Sequence, residues 1–185
     1  AENFPNVNNN CTLNCLAIEI LRAAGRWAEV LGVKPGRKWR DVAESMFVPI
    51  HPDQNWILPH EGYVYNPAGE NWAHINQNEA VYCIEAMMLS FPFGYSHSPE
   101  VDAATRKHYL QYLHSYMGMP MEAANCVVWA CREGERAMAL DFLEAGYSSR
   151  RIEPYGMIGE CAQFRPGCPN ENFVTAQGGL LTAFI

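Results

Sequence analysis

The chain has 185 residues, 49% of them hydrophobic and 18% charged, which is apolar material enough for a packed core and excludes intrinsic disorder. Its 13 Lys and Arg against 20 Asp and Glu give a formal charge of -7, and no run of cations interleaved with aromatics stands out, so no nucleic-acid partner is expected. Apolar stretches such as Ala86-Met87-Met88-Leu89 are far shorter than a bilayer span, so no membrane partner is expected either, and the length suits one domain over residues 1–185.

The first element is an amphipathic helix. Leu13, Leu16, Ala17, Ile20, Ala24, Trp27 and Leu31 recur at three- and four-residue steps, and Gly32 stands where a helix C-terminus favours glycine. From Lys34 to Asn78 five prolines break the pattern, with one short helical stretch from Trp39 to Met46, so a long ordered loop region rich in Trp, Tyr, His and Asn is expected there. Glu79 to Leu89 reads as a buried helix ended by Phe91-Pro92. Ser98-Pro99-Glu100 then supplies an N-cap with proline at the first helical position, opening a helix to about His114. Pro120 opens the next helix, through Cys131, and after a turn at Gly134 another runs from Glu135 to Tyr147, with Ala137, Leu140, Phe142, Leu143 and Ala145 as its expected buried face. A loop carrying Pro154, Gly156, Gly159, Pro166, Gly167 and Pro169 precedes a final helix. No alternating strand pattern occurs, so the fold class is all-α with long connections, either helical hairpins set around an axis or an irregular bundle.

The seven cysteines are odd in number and contain no CxxC pair, which favours buried free thiols; Cys11 with Cys15 on one helix face and Cys161 with Cys168 across a small loop are the two candidate pairs. The six histidines form no HxxxH or HExxH pattern, so no metal is expected, and no cofactor motif is present. The chain starts at Ala1 and its last segment, Phe173 to Ile185, runs apolar to the end, so it is expected to be a portion of a longer polypeptide or a trimmed version of one. Among the loop aromatics, Trp56, Tyr63, Tyr65 and Trp72 offer faces to sugar rings, with packing the favoured role.

Several landmarks in order carry a resemblance. Glu2, five residues before Val7, is followed by an Asn-rich turn and a helix starting near Thr12-Leu13-Asn14; Trp39, Val42-Ala43, Val48-Pro49 and Glu61-Gly62-Tyr63 come next. Phe91-Pro92-Phe93-Gly94-Tyr95, Ser98-Pro99-Glu100, Pro154-Tyr155-Gly156-Met157-Ile158-Gly159-Glu160 and Gly178-Gly179-Leu180 complete the set. Together they resemble glycoside hydrolase family 65, the family of acid trehalases, kojibiose-type glucosidases and maltose phosphorylases, over essentially the whole chain.

The resemblance implies the second half of an (α/α)6 barrel, with about six or seven helices, whose partner is the upstream half of the same polypeptide and whose substrate is a carbohydrate, an α-glucoside. It implies Glu2 as general acid and Glu160 as general base of an inverting hydrolysis, because one protonated and one ionised carboxyl must face each other across the scissile bond, about 6.5–9.5 Å apart, with a water between. The family's phosphorylases use phosphate in place of the base, so Glu160 favours hydrolysis. A disaccharide phosphorylase and a non-catalytic glycan-binding or scaffold homologue are the alternatives. The family's Lys-Gln pair is matched here by Asn76-Gln77, or by Tyr82-Cys83 in another alignment. Asn76, Gln77 and Tyr63 are the implied substrate-binding residues. Ile158 and Gly159 stand where the hydrolases carry Trp and Ser or Thr.

Overall fold

A computed structural model describes residues 6–63, 86, 88–110, 120–148, 151–152, 156–159 and 174–185. The chain is all-α, with six helices among the described residues and one hairpin of two-residue strands. It divides into two compact units, residues Ala1–Lys107 and His108–Ile185.

The first unit is built on α1, Cys11–Val30. Asn10 caps it, its side-chain oxygen accepting from the Leu13 N–H at 3.1 Å. At the other end Gly32 takes a left-handed φ of 63°, while the N–H groups of Gly32 and Val33 donate to the carbonyls of Glu29 and Ala28 at 3.1 and 2.9 Å. That pair of bonds is the Schellman termination, and it satisfies carbonyls the helix leaves open. A short α2, Trp39–Ser45, packs back against α1.

The buried face of α1 differs from the expected one. Cys11, Cys15, Ile18 and Ala28 are buried, whereas Leu13, Ile20, Trp27 and Leu31 are 57%, 58%, 64% and 70% exposed. The larger side chains dominate a hydrophobic pattern, but here the small ones lie against the unit's interior. α1 is therefore apolar on two opposed sides.

Expected helix residues 79–85 and 87 lie outside the described residues; Ala86 is helical, and residues 88–92 form turns rather than helix, with Ala86 and Leu89 buried. α3, Pro99–Leu110, starts where Ser98 predicts: the Ser98 hydroxyl accepts from the Val101 N–H at 3.3 Å and its carbonyl from the Asp102 N–H at 2.9 Å. The exposed Glu100 carboxyl, in the first turn, is held below its usual range by its own backbone N–H and by Ser98.

In the second unit α4, Pro120–Glu133, and α5, Arg136–Tyr147, meet at Gly134, whose φ is 78°. They pack along each other, and α4 also packs against α6, Val174–Ala183. Small residues set the approach. A Cβ on Gly146 would lie 2.3 Å from the Ala123 Cβ, and one on Gly179 would lie 2.8 Å from the Ala124 Cβ. The buried face of α5 is Ala139, Phe142, Gly146 and Tyr147; Leu140, expected inside, is 52% exposed, and Ala137 is exposed as well. A hairpin absent from the sequence reading follows: β1, Arg151–Ile152, pairs antiparallel with β2, Met157–Ile158, with Gly156 at φ 64° between them. Ile158 joins Ala123, Tyr147 and Ala176 in the core, with Leu143 and Leu180 packed on it. Cys11, Cys15 and Cys126 are buried free thiols, as expected, while Cys131 is a free thiol that is exposed.

Candidate functional site

Of the residues given chemistry, Tyr63 is described; Glu2, Asn76, Gln77 and Glu160 lie outside the described residues, as do Tyr65, Trp72 and the Cys161–Cys168 loop. The framework on the near side of each glutamate is described, and it is built as follows.

On the first unit, the Asn-rich turn that follows Glu2 doubles back. Asn6 and Asn9 take left-handed φ values of 63° and 49°, a conformation asparagine tolerates better than other side-chain-bearing residues, so the composition has a local cause. The turn is then tied to the loop before residue 64. The Asn9 amide donates to the Glu61 carboxylate at 2.8 Å, the Glu61 N–H to the Asn8 carbonyl at 3.2 Å, and the Cys11 N–H to the Pro59 carbonyl at 2.9 Å. The Asn14 amide donates to Asn9 Oδ1 at 3.1 Å and to the Phe47 carbonyl at 2.8 Å, closing the corner from the other side. Glu61 of the Glu-Gly-Tyr landmark thus clamps the segment leading from Glu2, a structural role that spacing alone does not reveal.

The loop itself is a narrow hairpin. Ile50 bridges Ile57, the His51 N–H donates to the Trp56 carbonyl at 2.8 Å and the Leu58 N–H to Pro49 at 2.9 Å. Asn55 turns it with φ 60°, and His51 Nδ1 accepts from the N–H groups of Asp53 and Gln54 at 3.2 and 3.3 Å. The Trp56 ring, 1% exposed, stacks on His51 at 5.2 Å and meets the edge of Tyr63 at 6.3 Å. Its Nε1–H donates to Gln54 at 2.9 Å. Trp56 is accordingly a packing residue, the favoured of its two expected roles. Tyr63 is buried and takes a second edge contact from His60 at 5.5 Å. His60 Nδ1–H donates to the Glu61 carbonyl at 2.8 Å, which fixes the tautomer because a carbonyl can only accept. The hairpin is fastened to α3 by buried Thr105, whose hydroxyl accepts from the Ile57 N–H at 3.0 Å and donates to the Val101 carbonyl at 2.7 Å.

Behind α1, Cys15 is fully buried and hydrogen-bonded to Tyr95, over whose ring the Arg22 guanidinium sits at 5.9 Å. Burial pushes the thiol up to about 12, with Tyr95 and Arg22 opposing weakly, and raises the Tyr95 phenol further. A thiol so held is protonated at neutral pH and serves as a small apolar residue, not a nucleophile.

On the second unit, the residue preceding Glu160 is the end of the β1–β2 hairpin, where Ile158 and Gly159 are buried. Its neighbour Tyr147 is also buried, its hydroxyl pushed up to about 12 by burial and by the nearby Cys126. Among the described residues no group of three His, Cys, Asp or Glu is placed to hold a metal, and no helix is long and apolar enough to cross a membrane.

No known family's profile matches the chain. Over 184 residues, the whole of its length, it is 23% identical to a protein-glucosylgalactosylhydroxylysine glucosidase of Danio rerio. The chain spans 26% of the length of that relative.

Proposed function

We propose that the chain is the C-terminal portion of the helical-barrel catalytic domain of a family 65 glycoside hydrolase, and that the full-length enzyme cleaves an α-glucosidic bond with inversion. The observation that carries this reading is the collinear similarity of the whole chain to a glucosidase, together with the family landmarks in their order. The relative's name points to a glucosylgalactosyl unit on hydroxylysine as the substrate class.

In this reading Glu2 donates a proton to the leaving oxygen, and Glu160 takes one from the water that attacks the anomeric carbon from the opposite face. Glu2 must stay protonated until it acts, which apolar or aromatic neighbours achieve by disfavouring its charged form. Asn76 and Gln77 hold sugar hydroxyls. Tyr63, with its ring buried, contributes through its phenol oxygen and as a wall. The clamp between Glu61 and Asn8-Asn9 orders the chain a few residues after the acid, and the packing of Ile158 orders it just before the base.

The upstream portion of the polypeptide is the proposed partner of α1. Leu13, Ile20, Trp27 and Leu31 fall within a narrow sector of a helix with 3.6 residues per turn, and they mark an apolar stripe about 27 Å long, from 18 residues at about 1.5 Å each. Such a stripe matches the need of a helix in a barrel for neighbours on two sides.

The test is kinetic. Replacing Glu160 with Gln in the full-length enzyme is expected to lower kcat by several orders of magnitude, on the order of 10³-fold or more, with helicity unchanged. A loss of less than about tenfold would remove the base. Cleavage that requires inorganic phosphate would replace hydrolysis with phosphorolysis.

A further inference from the structure

The overall charge is negative, yet the segment Lys34-Pro35-Gly36-Arg37-Lys38-Trp39-Arg40 carries four cations and a tryptophan within seven positions. It corrects the expectation that no such run occurs. Folding brings this segment against the C-terminal half of α1, where a groove of about 570 Å³ opens between α1, the connecting loop and α2. Arg22, Arg26, Lys34, Arg37 and Arg40 all line it, five of the chain's 13 cations. Arg22 is engaged by Glu19 at 2.7 Å. Arg26, Lys34, Arg37 and Arg40 are exposed and pair with none of the groove's own acids, Glu29, Asp41 and Glu44. Four unpaired cations therefore share one concavity with three carboxylates to which they are not bonded, an excess of one positive charge (4 − 3).

Two glycines shape it. Gly36 lets the Trp39 indole lie against the backbone, since a Cβ there would be 2.3 Å from the ring, and the ring remains 36% exposed. Gly25 leaves the α1 wall bare, for nothing lies within 4 Å of where its Cβ would be. Around α1, the residues facing the groove, such as Gly25, Arg26 and Glu29, lie well round the helix from the Leu13–Leu31 stripe. A partner on that stripe leaves the groove open.

We infer that this groove is a binding site for an anionic saccharide, a sugar bearing sulfate or phosphate esters. Guanidinium forks match the geometry of oxyanions, and an indole face beside them suits the C–H face of a sugar ring. The volume is that of a small-ligand site. The inference does not depend on the hydrolase reading, because binding is measured without turnover.

The test is calorimetry on the chain with sucrose octasulfate and glucose 6-phosphate as anionic probes, and sucrose and inorganic sulfate as controls. Saturable 1:1 binding of at least one anionic sugar is expected, with sucrose inert and sulfate at least about hundredfold weaker. Glucose 6-sulfate titrated beside glucose 6-phosphate, with one ester on the same sugar in each, separates sulfate from phosphate esters. The variant R26Q/R37Q/R40Q should bind at least about tenfold more weakly, while the charge-matched control K107Q/R132Q/R136Q stays within about threefold. Gly25→Leu should abolish binding while raising Tm, since leucine favours the helix and fills the groove. That combination cannot arise from a damaged fold. Equal weakening by the control triple, unchanged binding in Gly25→Leu, or displacement of the probe by a single-stranded oligonucleotide at lower concentration would each overturn the assignment.

Discussion

The Thr105 hydroxyl accepts the Ile57 N–H in a buried setting, so losing it strands a backbone donor away from water. Thr105→Val is expected to destabilise by about 1–3 kcal/mol, or roughly 2–10 °C in Tm, and Thr105→Ser to restore most of it. Buried Cys15 makes a prediction in pH. Its thiol titrates near 9.0 when unfolded and about 12 when folded, so above pH 9 the unfolded chain releases a proton that the folded chain keeps. The contribution is fully present below pH 9 and is lost as pH rises toward 12, with a slope of about 1.4 kcal/mol per unit from this group. Denaturation midpoints measured from pH 8 to 11 should fall accordingly, and Cys15→Ala should flatten the fall. These local devices were partly legible: Ser98-Pro99, Gly32 and Gly134 announce their caps and turns because their conformational demands are carried by the residue itself. Thr105, Glu61 and Asn9 were not, because their partners lie 48 and 52 positions away in sequence.

Among the elements, the described helices were found and their faces only in part, Phe142 and Leu143 of α5 turning inward as expected. Periodicity locates α1 and α5, but it weights Leu13, Ile20, Trp27 and Leu140 by size, whereas close helix packing selects Cys15, Ala123 and Gly146. The β1–β2 hairpin escaped because two-residue strands are too short to display alternation. Gly146→Ala should therefore destabilise despite better helix propensity, by about 1–3 kcal/mol, because its methyl meets the Ala123 methyl. Adding Ala123→Gly to it should recover most of the loss, a coupling that thermal unfolding of the two single variants and the double would measure. For α1, replacing Leu13, Ile20 and Trp27 by Lys, Glu and Gln should leave the stability of this chain within about 1 kcal/mol, since the side chains are already in water. The same triple in the full-length protein should lower its Tm or its soluble yield if the upstream portion covers the stripe.

At the scale of the molecule, the proposed chemistry needs two carboxyls contributed from opposite ends of 185 residues, with further sugar contacts upstream. These 185 residues alone are expected to show little or no turnover of an α-glucoside, and near-normal turnover would count against the assembly proposed here. The resemblance that names Glu2 and Glu160 was readable only as an ordered set of weak landmarks, because a catalytic carboxylate has no local signature of its own. The bonds joining Asn8, Asn9 and Cys11 to Pro59 and Glu61 have a dynamic corollary. Neither strand of that corner can open without exposing the other's amides. Deuterium uptake at Asn8–Cys11 and at His51–Glu61 should therefore proceed with one shared opening free energy, and a substitution at either end should accelerate exchange at both.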